Sequence, residues 1–164
     1  MRTIIHDLNE KDVKKLNFDK GDKIVNALEC KKNCVGCFSC WTKHPKKCAI
    51  NDDFSDLTDY IKKSDELILI SKNRYGCYSS EVKRVLERCI GYVLPYFCIR
   101  NNEIHHKSRY DKQIKMTSYF YDEIDKEDKE NAKNLLRANA INLNASDYEI
   151  KYFKNIKEIS KCIH

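Results

Sequence analysis

Five of the chain's nine cysteines fall within residues 30 to 48, CKKNCVGCFSCWTKHPKKC. Sulfur at that density closes disulfides, ligates a metal or cluster, or packs as buried thiol. Cys34, Cys37, Cys40 and Cys48 are separated by two, two and seven residues. Four thiolates so spaced can fold around a cubane, with Gly36 allowing the tight reversal such a loop requires. Zinc also accepts four cysteines, but its usual pattern sets two Cys-x-x-Cys knuckles well apart, so the close triplet favours iron-sulfur. A packed, cluster-free loop stays open as an alternative, because free Cys is among the most buried residue types. Cys30 is a fifth thiol outside the pattern, and Cys89, Cys98 and Cys162 sit in apolar surroundings that read as core. EIHHKSRY, residues 103 to 110, reads as an exposed hairpin, with a substrate or nicotinamide-phosphate contact through His105, His106 and Arg109 as the sharper alternative. His6 and His44 show no ligand spacing, and no Ser/His/Asp or Cys/His order marks a nucleophile.

Composition narrows what such a loop is for. A length of 164 residues suits a single domain, 1–164, that buries roughly 70% of its unfolded surface without a disulfide scaffold. Asp7 and Glu10 interrupt any leader-like start, and the longest apolar runs, LILI and YVLPYFCI, fall short of the ~20 residues of a membrane span. A cytoplasmic location with no membrane partner is expected, and there clustered cysteines serve metals or redox chemistry more often than bridges. The 31 basic and 25 acidic residues are mixed along the chain, so the net charge of +6 forms no basic arm and nucleic acid is not an expected partner. Four Gly and two Pro argue against linkers or low-complexity segments.

The elements that must position the cysteines alternate between strand and helix. RTIIHD, DKIVNAL, DELILIS, KQIKMTSYFY and DYEIKYF read as five strands, the third an unbroken apolar run suited to a central parallel strand buried on both sides. NEKDVKKL gives a helical turn. NDDFSDLTDYIKKS gives a helix with Asp52 or Asp53 as cap, and YSSEVKRVLERCIGYV one with Ser79 or Ser80 as cap. KEDKENAKNLLRANAINL and IKEISKCI complete the helices. An Asn101–Asn102 turn signal lies within an irregular, hairpin-like insertion at 95–111. Five alternations predict an α/β, doubly wound five-stranded parallel sheet with helices on both faces. If its order is 2-1-3-4-5, ligands bind at the carboxyl ends of the strands. Directly after the central strand stands KNRYGCYSSEVK. Tyr75 and Tyr78 offer aromatic faces there, Gly76 permits close backbone approach, and the next helix offers free amides. An ordinary strand-to-helix loop is the plainer reading, and Cys77 is ambiguous.

NCVGCFSCW…PKKCAINDD, SDELILISKNRYGCYSSEVKRVLER and YVLPYF follow one another as in the flavodoxin-like NAD(P)H-dependent FMN reductases. The chain resembles that family most clearly over residues 30 to 110, and its cysteine spacing is similar to that of the iron-sulfur flavoproteins within it. The resemblance implies a flavodoxin-like fold, bound FMN, and electron transfer from NAD(P)H or a reduced protein donor. It also implies a homodimer. Carried over residue by residue, Asn73, Arg74, Tyr75, Gly76, Cys77, Tyr78, Ser79 and Ser80 match the segment that wraps the flavin ring. Cys34, Cys37, Cys40 and Cys48 match the 4Fe-4S ligands. The family places a Ser/Thr/Gly-rich loop after the first strand to hold the flavin phosphate, whereas HDLNEKDVKK here has no glycine. Asp7 and Glu10 bring negative charge to that place, and Lys14, Lys15, Lys31 and Lys32 are the cations left for a phosphate.

Overall fold

The computed structural model describes residues 1–163. Five parallel strands form one sheet: β1 (Arg2–His6), β2 (Lys23–Asn26), β3 (Glu66–Lys72), β6 (Lys115–Tyr121) and β7 (Asp147–Phe153). Their order is β2-β1-β3-β6-β7, the predicted flavodoxin-like order once the remaining pair is set aside. That pair, β4 (Val93–Arg100) and β5 (Glu103–Ser108), is an antiparallel hairpin outside the sheet. Its turn is Asn101–Asn102, both at positive φ, as Asn tolerates and a two-residue hairpin turn demands.

Period-2 alternation along β3 divides the core. Leu67 and Leu69 join Ile5, Met116 and Phe120 beneath α2 (Leu57–Lys63), α3 (Ser80–Arg88) and α4 (Lys126–Asn142). Ile68 and Ile70 join Ile4, Leu8 and Tyr119 on the other face. There the cover is slight, because α1 (Glu10–Val13) and α5 (Ile156–Ile159) have four residues each. The segment predicted as a closing helix therefore contributes one turn, and Cys162 beyond it is exposed rather than core. Cys98 is half-buried in the hairpin, and Cys89 is buried as expected.

Ser79 caps α3, accepting the Val82 N–H at 3.3 Å. The α2 cap differs from expectation. The helix begins only at Leu57, with Asp56 in the cap position and no side-chain cap bond. Asp52 is drawn instead into an ion pair with Arg88. Among the described residues, no helix is long and apolar enough to cross a membrane.

His6, at the carboxyl end of β1, is buried, and its Nδ1 accepts the Leu8 N–H at 3.2 Å. Burial lowers its pKa from 6.5 to about 4, against a small opposing pull from Glu29. The unfolded chain therefore takes up a proton below about pH 6.5 that the folded chain refuses until about pH 4. Stability should be full above that window and fall as pH drops through it, by about 3 kcal/mol from this residue. Urea denaturation across the window should show a flatter profile for His6→Gln than for the wild type.

Candidate functional site

Residues 30 to 56 carry almost no regular secondary structure, so side chains fix the cysteine loop. Gly36 and Phe38 both take positive φ, at 65° and 56°, which reverses the chain between the first three cysteines. Trp41 donates its indole N–H to the Val93 carbonyl at 2.9 Å and pins the loop to β4. Cys40 packs beside Gly91, where an added Cβ would lie 3.2 Å from the Cys40 Cβ. The deepest tie is Arg88, whose side chain has no exposed surface. It donates to both Asp52 carboxylate oxygens at 2.8 and 2.6 Å, and approaches the Cys30 and Cys48 sulfurs at 3.7 and 3.6 Å. Burial opposes its charge, yet Asp52 and the two sulfurs hold its pKa above the ordinary value.

Cys34, Cys37, Cys40 and Cys48 all line one cavity of about 380 Å³, with Arg88 and Ile90 in its wall. All nine cysteines are free thiols. Burial, and next the nearness of Cys34, Cys48 and Cys37, push the Cys40 thiol up. Four thiolates gathered here would repel one another unless cations sat among them. Among the described residues, no three Cys, His, Asp or Glu side chains are gathered tightly enough for one metal ion. One more feature suits an anionic guest: the Nε–H of Arg88 is buried with no acceptor. Four sulfurs on one cavity are the donor type that thiolate-held metal centres use.

The loop after β3 is divided between interior and surface. Arg74 and Cys77 exchange backbone bonds at 3.0 and 2.9 Å around Tyr75 and Gly76, both at positive φ. Asn73 is buried, donating to the Glu123 carbonyl at 2.7 Å and to Asp128 at 2.6 Å. This loop therefore touches the one that follows β6. Tyr78 faces the core, bonded to Ser118 at 2.9 Å and stacked on Phe120, and Ser79 is the helix cap. Arg74, Tyr75, Cys77 and Ser80 line an open groove of about 860 Å³, with Asn33, Cys34, Lys83 and Arg84 opposite. Cys34 and Glu87 border both this groove and the cysteine cavity.

At the carboxyl end of β1 the buried Asp7 carboxylate accepts the Lys72 N–H at 2.9 Å and the Tyr121 hydroxyl at 2.9 Å. Burial, with the charge of Asp7 second, holds the Tyr121 phenol well above its usual range. The Asp7 N–H goes to Ile70 and that of Leu8 to His6. A phosphate does not fit beside Asp7: an anion is in place, and the Asp7 and Leu8 amides are used. Lys15 is paired with Asp12, Lys31 reaches the Leu28 carbonyl, and Lys14 and Lys32 point to solvent.

In EIHHKSRY, His106 packs against Trp41 and Phe97 and bonds the Leu94 carbonyl at 2.8 Å, while Arg109 bonds the Gly91 carbonyl at 2.9 Å. Both are structural. Sequence reading missed Arg88 and Asp52; the available signal was an Arg three residues after Val85, on the apolar face of α3.

No family model matches the sequence, and no curated protein matches it either. Among solved structures, the chain is similar to an FMN-dependent NADH-azoreductase from Bacillus anthracis in complex with FMN, at 10% identity and a TM-score of 0.54. The match covers 98% of this chain and 92% of that one, and so extends over the whole flavodoxin-like frame.

An added Cβ at Gly76 would lie 2.5 Å from the Asn131 Cβ and press on the Asp128 carbonyl, whereas Gly36 has open space. Gly36→Ala should cost about 1–2 kcal/mol for its positive φ alone. Gly76→Ala should cost about 1–3 kcal/mol more from overpacking. Equal losses in urea denaturation would contradict the close approach of the loop to α4.

Proposed function

We propose that the chain is a flavin-dependent oxidoreductase or electron-transfer protein in which Cys34, Cys37, Cys40 and Cys48 ligate a 4Fe-4S cluster. The observation that carries this reading is the convergence of the four thiols on one cavity walled by a buried guanidinium. A flavin, when bound, exchanges hydride and single electrons, and a cluster stores one electron. The chain's own part is positioning and electrostatics. Arg88 offsets the negative charge of the thiolates, and Ile90 with the packed loop limits water on one side. Tyr75 presents its ring to the adjoining groove, and Arg74, Lys83 and Arg84 give that groove a positive lining suited to FMN or an NAD(P)H donor. Arg74, Tyr75, Cys77 and Ser80 are the residues that would touch the ring; Asn73, Gly76, Tyr78 and Ser79 would shape the loop from within.

The Asp7 carboxylate favours a second reading, a cysteine-centred metal or thiol-redox module on a frame that takes no flavin. Absorption of anaerobically purified protein separates the two. A visible band bleached by dithionite, with iron and sulfide in comparable amounts, is expected, and each of the four Cys→Ser variants should lose it. Cys30→Ser should keep the iron. A colourless, iron-free protein after anaerobic reconstitution would sink the cluster.

Flavin titration tests the groove. Riboflavin should bind within about a factor of ten of FMN, since the phosphate finds no site at β1. A preference for FMN of about 100-fold or more would reveal another anion site, and no binding of either would favour the flavin-free reading.

A further inference from the structure

Two arginines one helical turn apart tie α3 to the cysteine loop, and they hold it by different atoms. Arg84 donates to the Asn33 side-chain oxygen at 2.7 Å and to the Cys30 carbonyl at 2.8 Å. Arg88 reaches sulfur. One of its terminal nitrogens donates to the Cys48 sulfur at 3.6 Å and the other to the Cys30 sulfur at 3.7 Å. Among the described residues, Cys48 is the one member of the Cys34, Cys37, Cys40 and Cys48 set whose sulfur meets a side-chain donor.

The guanidinium is held in that orientation from two sides. Asp52 takes both terminal nitrogens with its two oxygens, and the Phe54 ring lies 5.7 Å from the guanidinium carbon. The third nitrogen is treated differently. Its Nε–H is buried and meets no acceptor, although the Arg88 side chain has no exposed surface and stands in the wall of the cavity that the four cysteines line. A buried donor left unpaired is costly, and a fold that keeps one beside a group of sulfurs has a use for it. A sulfur brought into the cavity would complete the set.

We propose that Arg88 is a positioning residue that raises the reduction potential of the centre held by Cys34, Cys37, Cys40 and Cys48, by donating hydrogen bonds to the Cys48 sulfur and, through Nε–H, to a second sulfur of that centre. The inference rests on the cluster reading above and adds the group that tunes it. Hydrogen bonds to the sulfurs are among the factors that set a cluster's potential. Reduction is the gain of one electron from the donor, with no proton leaving Arg88, which stays charged throughout. The added electron makes the sulfurs more negative, so a charged donor binds the reduced form more strongly than the oxidised one. In a buried wall, salt screens this preference little. Asp52 acts through Arg88 by aiming the guanidinium. Arg84 has no such part, because its bonds end on an amide and a carbonyl.

Two variants test this. Arg88→Gln combined with Asp52→Asn replaces the ion pair by a neutral one of similar shape, so net charge is unchanged, no buried charge is left alone, and the donors facing sulfur become weaker. Arg88→Lys keeps the charge and loses the fork. Each is checked for unchanged circular dichroism and for iron and sulfide after anaerobic reconstitution. In dithionite titrations with redox dyes, the reduction equilibrium of the paired variant should move against the reduced form by about tenfold, which is about 59 mV for one electron, and that of Arg88→Lys by less. The iron–thiolate stretching band in resonance Raman spectra should rise in both variants, because a sulfur relieved of a hydrogen bond holds iron more tightly; an arginine that only braced the loop would leave that band alone. Iron-loaded variants with wild-type potential and wild-type bands would overturn the proposal and leave the cluster reading standing. A wild type that takes up no iron would overturn both. Should the paired variant fail to fold, an iron-loaded Arg88→Lys with an unshifted band decides against the proposal.

Discussion

The cysteine loop is held to the sheet by a charge that water cannot reach. Arg88 is placed by α3, whose face also carries Val82 and Val85 into the core, so the guanidinium enters the structure already desolvated. It stays charged because Asp52 meets it with two oxygens in a forked arrangement. Removing Asp52 costs about 3–5 kcal/mol, since Arg88 is left buried without its carboxylate. That cost makes the loop's position a property of the fold, although the loop has scarcely any ladder or helix of its own. Asp52 cannot also cap α2, and the helix starts later as a result. The Cys30, Cys48 and Ile50 contacts follow from the same anchor.

With the loop fixed there, two cavities come to share a wall. Cys34 and Glu87 border both the cysteine cavity and the groove beneath Tyr75. Residues more than forty positions apart in sequence thus define adjoining sites, because β1 lies between β2 and β3 in the sheet and brings the two loops to one end. Ligands held in the two cavities would lie side by side without a change of conformation. The positive rim of Arg74, Lys83 and Arg84 and the buried positive charge of Arg88 act in the same direction, favouring negative charge on either side.

Much of the frame was legible in the sequence because local and global signals agree there. LILI could only be a strand buried on both faces, Ser79 had both the residue type and the position of a cap, and Asn101–Asn102 had the backbone tolerance its turn needs. The cysteine cavity was legible as spacing but not as shape. Arg88 looked like an ordinary charged residue in the last turn of a helix, since its partner lies 36 residues away. Tyr78 offered an aromatic face in the sequence and spends it on Phe120, a contact set by the β3–β6 pairing. Cys162 read as core because its neighbours are apolar, but one helical turn is too short to bury every side of itself. The hairpin was legible from its turn; which face points outward depends on where α4 lies.

Asp7 shows how the same frame is closed at the place where other chemistry could have been. The loops and helix N-termini that follow parallel strands present backbone N–H groups, and a sheet of this kind gathers them in one crevice. An anion there is stabilised whether it arrives with a ligand or belongs to the chain. Here the Lys72 amide and the Tyr121 hydroxyl spend their protons on Asp7, so the crevice is electrostatically complete before anything binds. A dianion added beside that carboxylate would be repelled, and the four-residue α1 is too short to offset the repulsion. The groove beside Cys34 opens at this same end of the sheet, and a ligand held there would lie against the cysteine loop.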